Sequence, residues 1–201
     1  MYPCRDCASE MLYSSGSNCS FCSIDLAGSE NPCLSCRDNH HYVDSVVSIG
    51  PWKGKLKEWV SIYKYGHDKR LGWWLRDQII SIINSEFPGY PVLPVPARKK
   101  KLRAGMFDPV GFMVSLLAKN GLDVEYLLLR KGNKTQKSLN REERLKGSAL
   151  KFVLKKNTDV KGRSFVLVDD ITTTGSTLDY CAALLKEYGA QKVYAVVFCK
   201  D

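Results

Sequence analysis

From Val43 onward, the apolar residues fall into blocks of two kinds. Short apolar runs read as strands: VDSVVSIG from Val43, YPVLPVP from Tyr90, VEYLLLR from Val124, ALKFVLK from Ala149, FVLV from Phe165 and VYAVVF from Val193. Between them, apolar residues recur at spacings of three and four. Leu56, Trp59, Val60 and Tyr63 mark a helix over 53–65, and similar patterns cover about 71–83, 109–119 and 176–188. Strands alternating with helices predict an α/β domain with a mostly parallel sheet flanked by helices. FVLV has no polar break, as expected of a strand covered on both faces. Leu178, Cys181, Ala182 and Leu185 fall on one helix face, and Gly189 supplies the stop. Residues 169–176 are therefore the turn between strand and helix in a βαβ unit. In open α/β sheets that turn lies on the ligand-binding edge.

The first 42 residues have a different texture. They are rich in Ser, Gly and Asn and poor in large apolar side chains, so they lack a core of their own. They also hold three Cys-x-x-Cys pairs: Cys4/Cys7, Cys19/Cys22 and Cys33/Cys36. Two such knuckles complete a tetrahedral zinc site, which supplies folding free energy on the order of 10 kcal/mol. The expected set is Cys19, Cys22, Cys33 and Cys36 on one structural Zn2+. Cys4 and Cys7 are then a remnant or half of a second site, with His40 or His41 as candidate helpers. Pairing of Cys4/Cys7 with Cys19/Cys22 is the alternative. Cys181 and Cys199 fit core positions. The expected division is a cysteine-rich zinc module over 1–42 and an α/β domain over 43–201.

The chain has 201 residues, with 30 Lys and Arg against 21 Asp and Glu, a formal charge of +9. Zinc on four thiolates lowers that figure by two. The balance favours anionic partners. No apolar run approaches the roughly 18 residues of a membrane span. MYPCRDCASE lacks a secretory pattern, so a soluble, cytoplasmic protein is expected and disulfides are not.

The turn itself reads VDDITTTGST, from Val168 to Thr177. Main-chain N–H groups at a helix start attract anions, and a glycine lets a phosphate approach closely. Thr172, Thr173, Thr174, Ser176 and Thr177 add hydroxyls around Gly175. No Lys follows the glycine, which excludes the nucleoside triphosphatase loop. Asp169 and Asp170 suit sugar hydroxyls, so a sugar phosphate satisfies both halves of the turn. A plain βα turn, with a hydroxyl cap and acids near the helix dipole, accounts for less of the pattern.

VLVDDITTTGST resembles the phosphoribosyl pyrophosphate (PRPP) signature of type I phosphoribosyltransferases. The resemblance implies that fold, with Asp169 and Asp170 as catalytic-site carboxylates on the ribose 2′- and 3′-hydroxyls. It implies that Thr172, Thr173, Thr174, Gly175, Ser176 and Thr177 hold the 5′-phosphate. With the cysteine pairs in front, the chain resembles the ComF family over nearly its whole length. YKYGHDKRLGWWL is similar to the family's Lys-Tyr-Gly segment, and LPVPARKKKLR to its Val-Pro-Val-Pro strand and basic loop. By the same resemblance, Arg98, Lys99, Lys100, Lys101 and Arg103 take the place of the pyrophosphate-binding loop. QKSLNREERL, with Gln136, Arg141 and Arg144, takes that of the hood which closes over the site. One segment departs: where the family has Arg-Gly-Phe-Asn-Gln, this chain has Gly105-Met106-Phe107-Asp108-Pro109. Family likeness implies PRPP with Mg2+ and a role in natural transformation. The possible partners are then single-stranded DNA and other competence proteins such as a DNA helicase. The two functions to weigh are a PRPP-dependent transferase and a non-catalytic DNA-binding accessory protein regulated by PRPP.

Overall fold

The computed structural model describes residues 1–12, 18–26, 28, 30–38, 41–97, 106–130 and 152–201. Helices α1 (Arg5–Met11) and α2 (Leu34–Asp38) precede strand β1 (Ser45–Pro51). Helix α3 (Gly54–Tyr65), a 3-10 turn (Lys69–Leu71), helix α4 (Gly72–Glu86) and strand β2 (Val92–Pro94) follow. Then come α5 (Pro109–Lys119), β3 (Leu128–Arg130), β4 (Phe152–Leu154), β5 (Ser164–Thr172), α6 (Ser176–Glu187) and β6 (Lys192–Lys200). Strands β1, β6, β5 and β2 lie side by side in that order, all parallel. This is the α/β architecture with a mostly parallel sheet flanked by helices that the alternating pattern predicts.

The unbroken apolar run has a direct cause. Val166 and Val168 point to the face covered by α3, α4 and α5, while Phe165 and Leu167 point to the face covered by α6. All four are fully buried. The same alternation along β6 puts Val196 and Phe198 on the first face and Ala195 and Val197 on the second. Burying each large apolar side chain stabilises by about 1.5–3 kcal/mol. Helix α5 begins on a good signal: the Asp108 carboxylate accepts the Gly111 N–H at 2.9 Å, and Pro109 occupies the first turn.

Helix α1 joins this core through Met11, Cys7 and Ala8. Its last carbonyl, on Met11, sits against Gly50 of β1, where a Cβ would collide with it. Farther along, the Ser23 hydroxyl is buried and donates to the Val46 carbonyl at 2.8 Å while accepting the Ser48 N–H at 3.2 Å. The cysteine-bearing residues are thus keyed to β1.

Two expectations need correction. Helix α4 starts at Gly72 and runs on to Glu86, because residues 69–71 form their own 3-10 turn. VEYLLLR is not one buried strand of the main sheet. Only Leu128–Arg130 is strand, paired antiparallel with β4, and Val124 makes a single parallel bridge to Val92. Leu128 is buried and Leu129 is exposed. Three adjacent leucines cannot all face one core in an extended chain, and an apolar run alone does not show this. The polar stretch 131–147 and residues 149–151 lie outside the described residues.

Leu167 is fully buried in the middle of β5. Leu167→Ala is expected to cost about 2–5 kcal/mol in urea denaturation, the range for cavity-forming core substitutions.

Candidate functional site

Strand β5 ends in Asp169, Asp170, Ile171 and Thr172, and Gly175 caps α6 with φ 75°. A left-handed residue is needed there to turn the chain from strand to helix, and glycine adopts it without strain. At the carboxyl edge of the sheet the two carboxylates open into a cavity of about 520 Å³. Thr177, Lys64, Arg130, His67 and Phe107 also line it. Asp169 accepts the N–H of Asp170 at 2.9 Å, and Asp170 accepts that of Ile171 at 2.7 Å. The Lys64 ammonium forms an ion pair with Asp170, both side chains being largely buried. Burial, and then the neighbouring charge of Asp170, push the Asp169 carboxyl up to about 7, against the pull of the Asp170 N–H, Lys64 and Arg130.

The hydroxyl loop divides two spaces. Thr177 faces the carboxylate cavity, while Thr172, Thr173, Thr174 and Gly175 line a second cavity of about 350 Å³. That second cavity is walled on its other side by Phe21, Cys22, Cys33, Cys36 and His41. The Thr174 and Ser176 hydroxyls lie 2.7 Å apart. Among the described residues, the main-chain N–H groups of Thr173, Thr174 and Gly175 meet no main-chain acceptor.

The Sγ atoms of Cys19, Cys22, Cys33 and Cys36 all lie within 4.8 Å of one another, a set fit to hold one metal ion. The N–H groups of Phe21 and Cys33 donate to Cys19 Sγ at 3.5 and 3.4 Å. Burial raises the Cys19 thiol, but N–H groups of Cys33, Cys22 and Phe21 outweigh it and bring the thiol down to about 7. Burial pushes Cys22 up to about 11 and raises Cys36 as well. A thiolate zinc set of this kind is structural. Cys4 and Cys7 lie outside that set. His41 is not beside them: its Nδ1 pairs with Asp179 of α6 at 3.0 Å. His40 lies outside the described residues.

Other predicted residues divide cleanly. Arg98, Lys99, Lys100, Lys101 and Arg103, and Gln136, Arg141 and Arg144, lie outside the described residues. Their neighbours Ala97, Met106 and Arg130 line the carboxylate cavity. In the departed segment, Phe107 packs edge-on to Tyr63 at 5.3 Å and lies 5.8 Å from His67. Asp108 there serves as the helix cap already described. Reading the sequence missed Lys64, yet a signal existed. Lys64 is four residues after Val60 and eight after Leu56, both on the buried face of α3. A lysine on that stripe needs an acidic partner. Arg130 gave no such signal, because its place follows from the β3–β4 pairing.

Comparison with known proteins places these features. The model of the phosphoribosyl transferase domain matches residues 112–201. Competence protein ComFC of Streptococcus pneumoniae is 28% identical over 195 residues, covering 94% of this chain and 84% of that protein. ComFC of Bacillus subtilis is 23% identical, covering 92% and 78%. Adenine phosphoribosyltransferase of Mycobacterium tuberculosis is 35% identical over 92 residues, 45% of this chain and 43% of that one. The parallel sheet and the matched domain define a protein with the type I phosphoribosyltransferase fold. With the four-cysteine group in front and likeness to ComFC along almost its entire length, the chain is similar to the phosphoribosyltransferase-like proteins of the ComF family. Among the described residues no helix is long and apolar enough to cross a membrane.

Two outcomes are expected. Cys33→Ser should release zinc, measured by metal analysis of the purified protein, and lower the melting temperature. Asp169 should give a pH signature. The raised carboxyl pKa means that the folded protein keeps a proton which the unfolded chain gives up. That stability is present below the ordinary carboxylate range and is lost as pH rises through about 7. Between about pH 5 and about pH 8, wild type should therefore lose more stability than Asp169→Asn in urea titrations.

Proposed function

We propose that the protein binds PRPP with Mg2+ as a ComF-type phosphoribosyltransferase-like protein acting in DNA uptake in the cytoplasm. The observation that carries this reading is the carboxylate pair lining the cavity, followed directly by a hydroxyl loop whose N–H groups meet no main-chain acceptor among the described residues. Asp169 and Asp170 would accept hydrogen bonds from the ribose 2′- and 3′-hydroxyls. Thr172 to Thr177 would receive the 5′-phosphate at the start of α6. The oxygen donors fit Mg2+, which takes oxygen ligands and keeps several waters. Burial, and then the charge of Asp170, raise the Asp169 carboxyl, and a nearby cation would favour its charged form. Bound Mg2+ would neutralise pyrophosphate charge.

The chain's own groups suit a displacement at the anomeric carbon. A transition state of oxocarbenium character gains from two fixed carboxylates beside the ring. Arg130, with the basic residues 98–103, would draw the leaving pyrophosphate. Tyr65, His67 and Phe107 form the wall on the α3 side, where an acceptor would approach. The zinc module within 1–42 serves to hold its own segment and the 43–201 domain carries the ligand.

A second reading is binding of single-stranded DNA without catalysis, with competence proteins such as a helicase as further partners. The formal charge of +9 and the exposed rings of Tyr65 and Trp73 favour it. Its affinity for oligonucleotides should fall steeply with salt, and no binding at low salt removes it.

Calorimetry with PRPP and Mg2+ tests the main reading. Heat of binding is expected for the zinc-loaded wild type, and none for Asp170→Ala at unchanged zinc content and with cooperative melting retained, although loss of the Lys64 partner should lower its melting temperature. Affinity that survives in Asp170→Ala would show that the ribose lies elsewhere.

A further inference from the structure

The hydroxyl loop has no cation of its own. Residues 172–177 contain neither Lys nor Arg. Strand β6 brings one to it. Lys200 ends that strand directly opposite Thr172 of β5 and is only 8% exposed. A lysine this buried is rare unless its ammonium is engaged. Here Nζ donates to the Thr173 carbonyl at 2.6 Å and to the main-chain oxygen of Asp201. The Asp201 N–H donates to the Thr172 carbonyl at 2.9 Å. Two successive carbonyls at the start of the loop are thus held by the end of β6.

The held carbonyl has a consequence for the N–H groups. A trans peptide is planar, with C=O and N–H pointing in opposite directions. With the Thr173 carbonyl drawn onto Lys200, the N–H of Thr174 is turned away from the ammonium. It joins the N–H groups of Thr173 and Gly175, which also meet no main-chain acceptor among the described residues. Successive N–H groups ahead of a left-handed residue make an anion-binding concavity. An ammonium on the carbonyl side also polarises the peptide and strengthens its N–H as a donor. It adds a full positive charge to a loop otherwise built from partial ones.

We propose that Lys200 is a positioning residue for the 5′-phosphate, pinning the Thr173 carbonyl and supplying the positive charge that the loop lacks. The proposal rests on the PRPP reading of this site. Lys200 acts through the backbone and its field and does not touch the reacting atoms.

Calorimetry on the full zinc-loaded chain tests it with three probes: PRPP with Mg2+, ribose 5-phosphate, and pyrophosphate with Mg2+. Lys200→Met is expected to weaken PRPP and ribose 5-phosphate about tenfold or more, and to leave pyrophosphate within about twofold. Lys200→Arg, which keeps the charge, should fall between wild type and Lys200→Met. A lysine that merely stabilised the fold would lower the melting temperature or weaken all three probes together, and either result without selective loss overturns the proposal. Should Lys200→Met melt without cooperativity, Lys200→Gln, which keeps a donor but loses the charge, carries the same comparison. Ribose 5-phosphate affinity within about twofold of wild type in either folded variant also overturns it. If PRPP binding is lost in Asp170→Ala but kept in Lys200→Met, only this inference fails. Absence of PRPP binding in wild type removes both.

Discussion

Parallel pairing of β5 with β6 is the constraint on which the chemistry of this protein depends. Its register runs from Ser164 opposite Lys192 to Thr172 opposite Lys200, so both strands finish at the same level. Buried apolar side chains fill the middle of this pair on both faces. Beyond that apolar middle, β5 ends in Asp169, Asp170 and Thr172 and β6 ends in Lys200, all at the carboxyl end of the pair. Asp169, Asp170, the hydroxyl loop and Lys200 stand together because the apolar part of each strand is used up before them.

Electrostatics then divides this edge into two unlike neighbourhoods. Asp169 and Asp170 lie side by side in partial burial, which disfavours two full negative charges. Lys64 offsets one of them from α3, and Arg130 adds a weaker pull from β3. A few residues farther on, the N–H groups at the start of α6 and the ammonium of Lys200 give the opposite sign. One short stretch of chain therefore offers an acidic half and a basic half. A ligand carrying both hydroxyls and a phosphate matches that polarity.

Much of this was legible in the sequence, for identifiable reasons. β5 and α6 carry patterns of the right period and length. Their junction has residues whose local chemistry is the same in any fold that places a strand before a helix. Helix α5 shows the same legibility, its apolar spacing marking the span 109–119. The cysteines could be grouped because a pair two residues apart is itself a local geometric unit. What stayed hidden was set by register and by contacts between distant elements. Lys200 reads as a polar residue after an apolar strand, and only its place opposite Thr172 gives it a role. His41 reads as a metal helper by proximity in sequence, yet it pairs with Asp179, far along the chain. The three leucines of 127–129 read as core, while the β3–β4 pairing turns Leu129 outward.

The contact between Gly50 and the Met11 carbonyl bears on how the cysteine segment is assembled. Helix α1 is docked on the core before that segment begins, and β1 enters the sheet after it ends. The chain between Met11 and Ser45 therefore has both of its ends held by the domain itself. The entropy of bringing the ends together is borne by the core, and it grows only slowly with loop length. A metal ion has only to gather four thiols within a tethered loop, at an effective concentration far above that of a free tail. Loss of the ion would loosen the loop but leave its two anchors in place, so the segment is poised to be refilled.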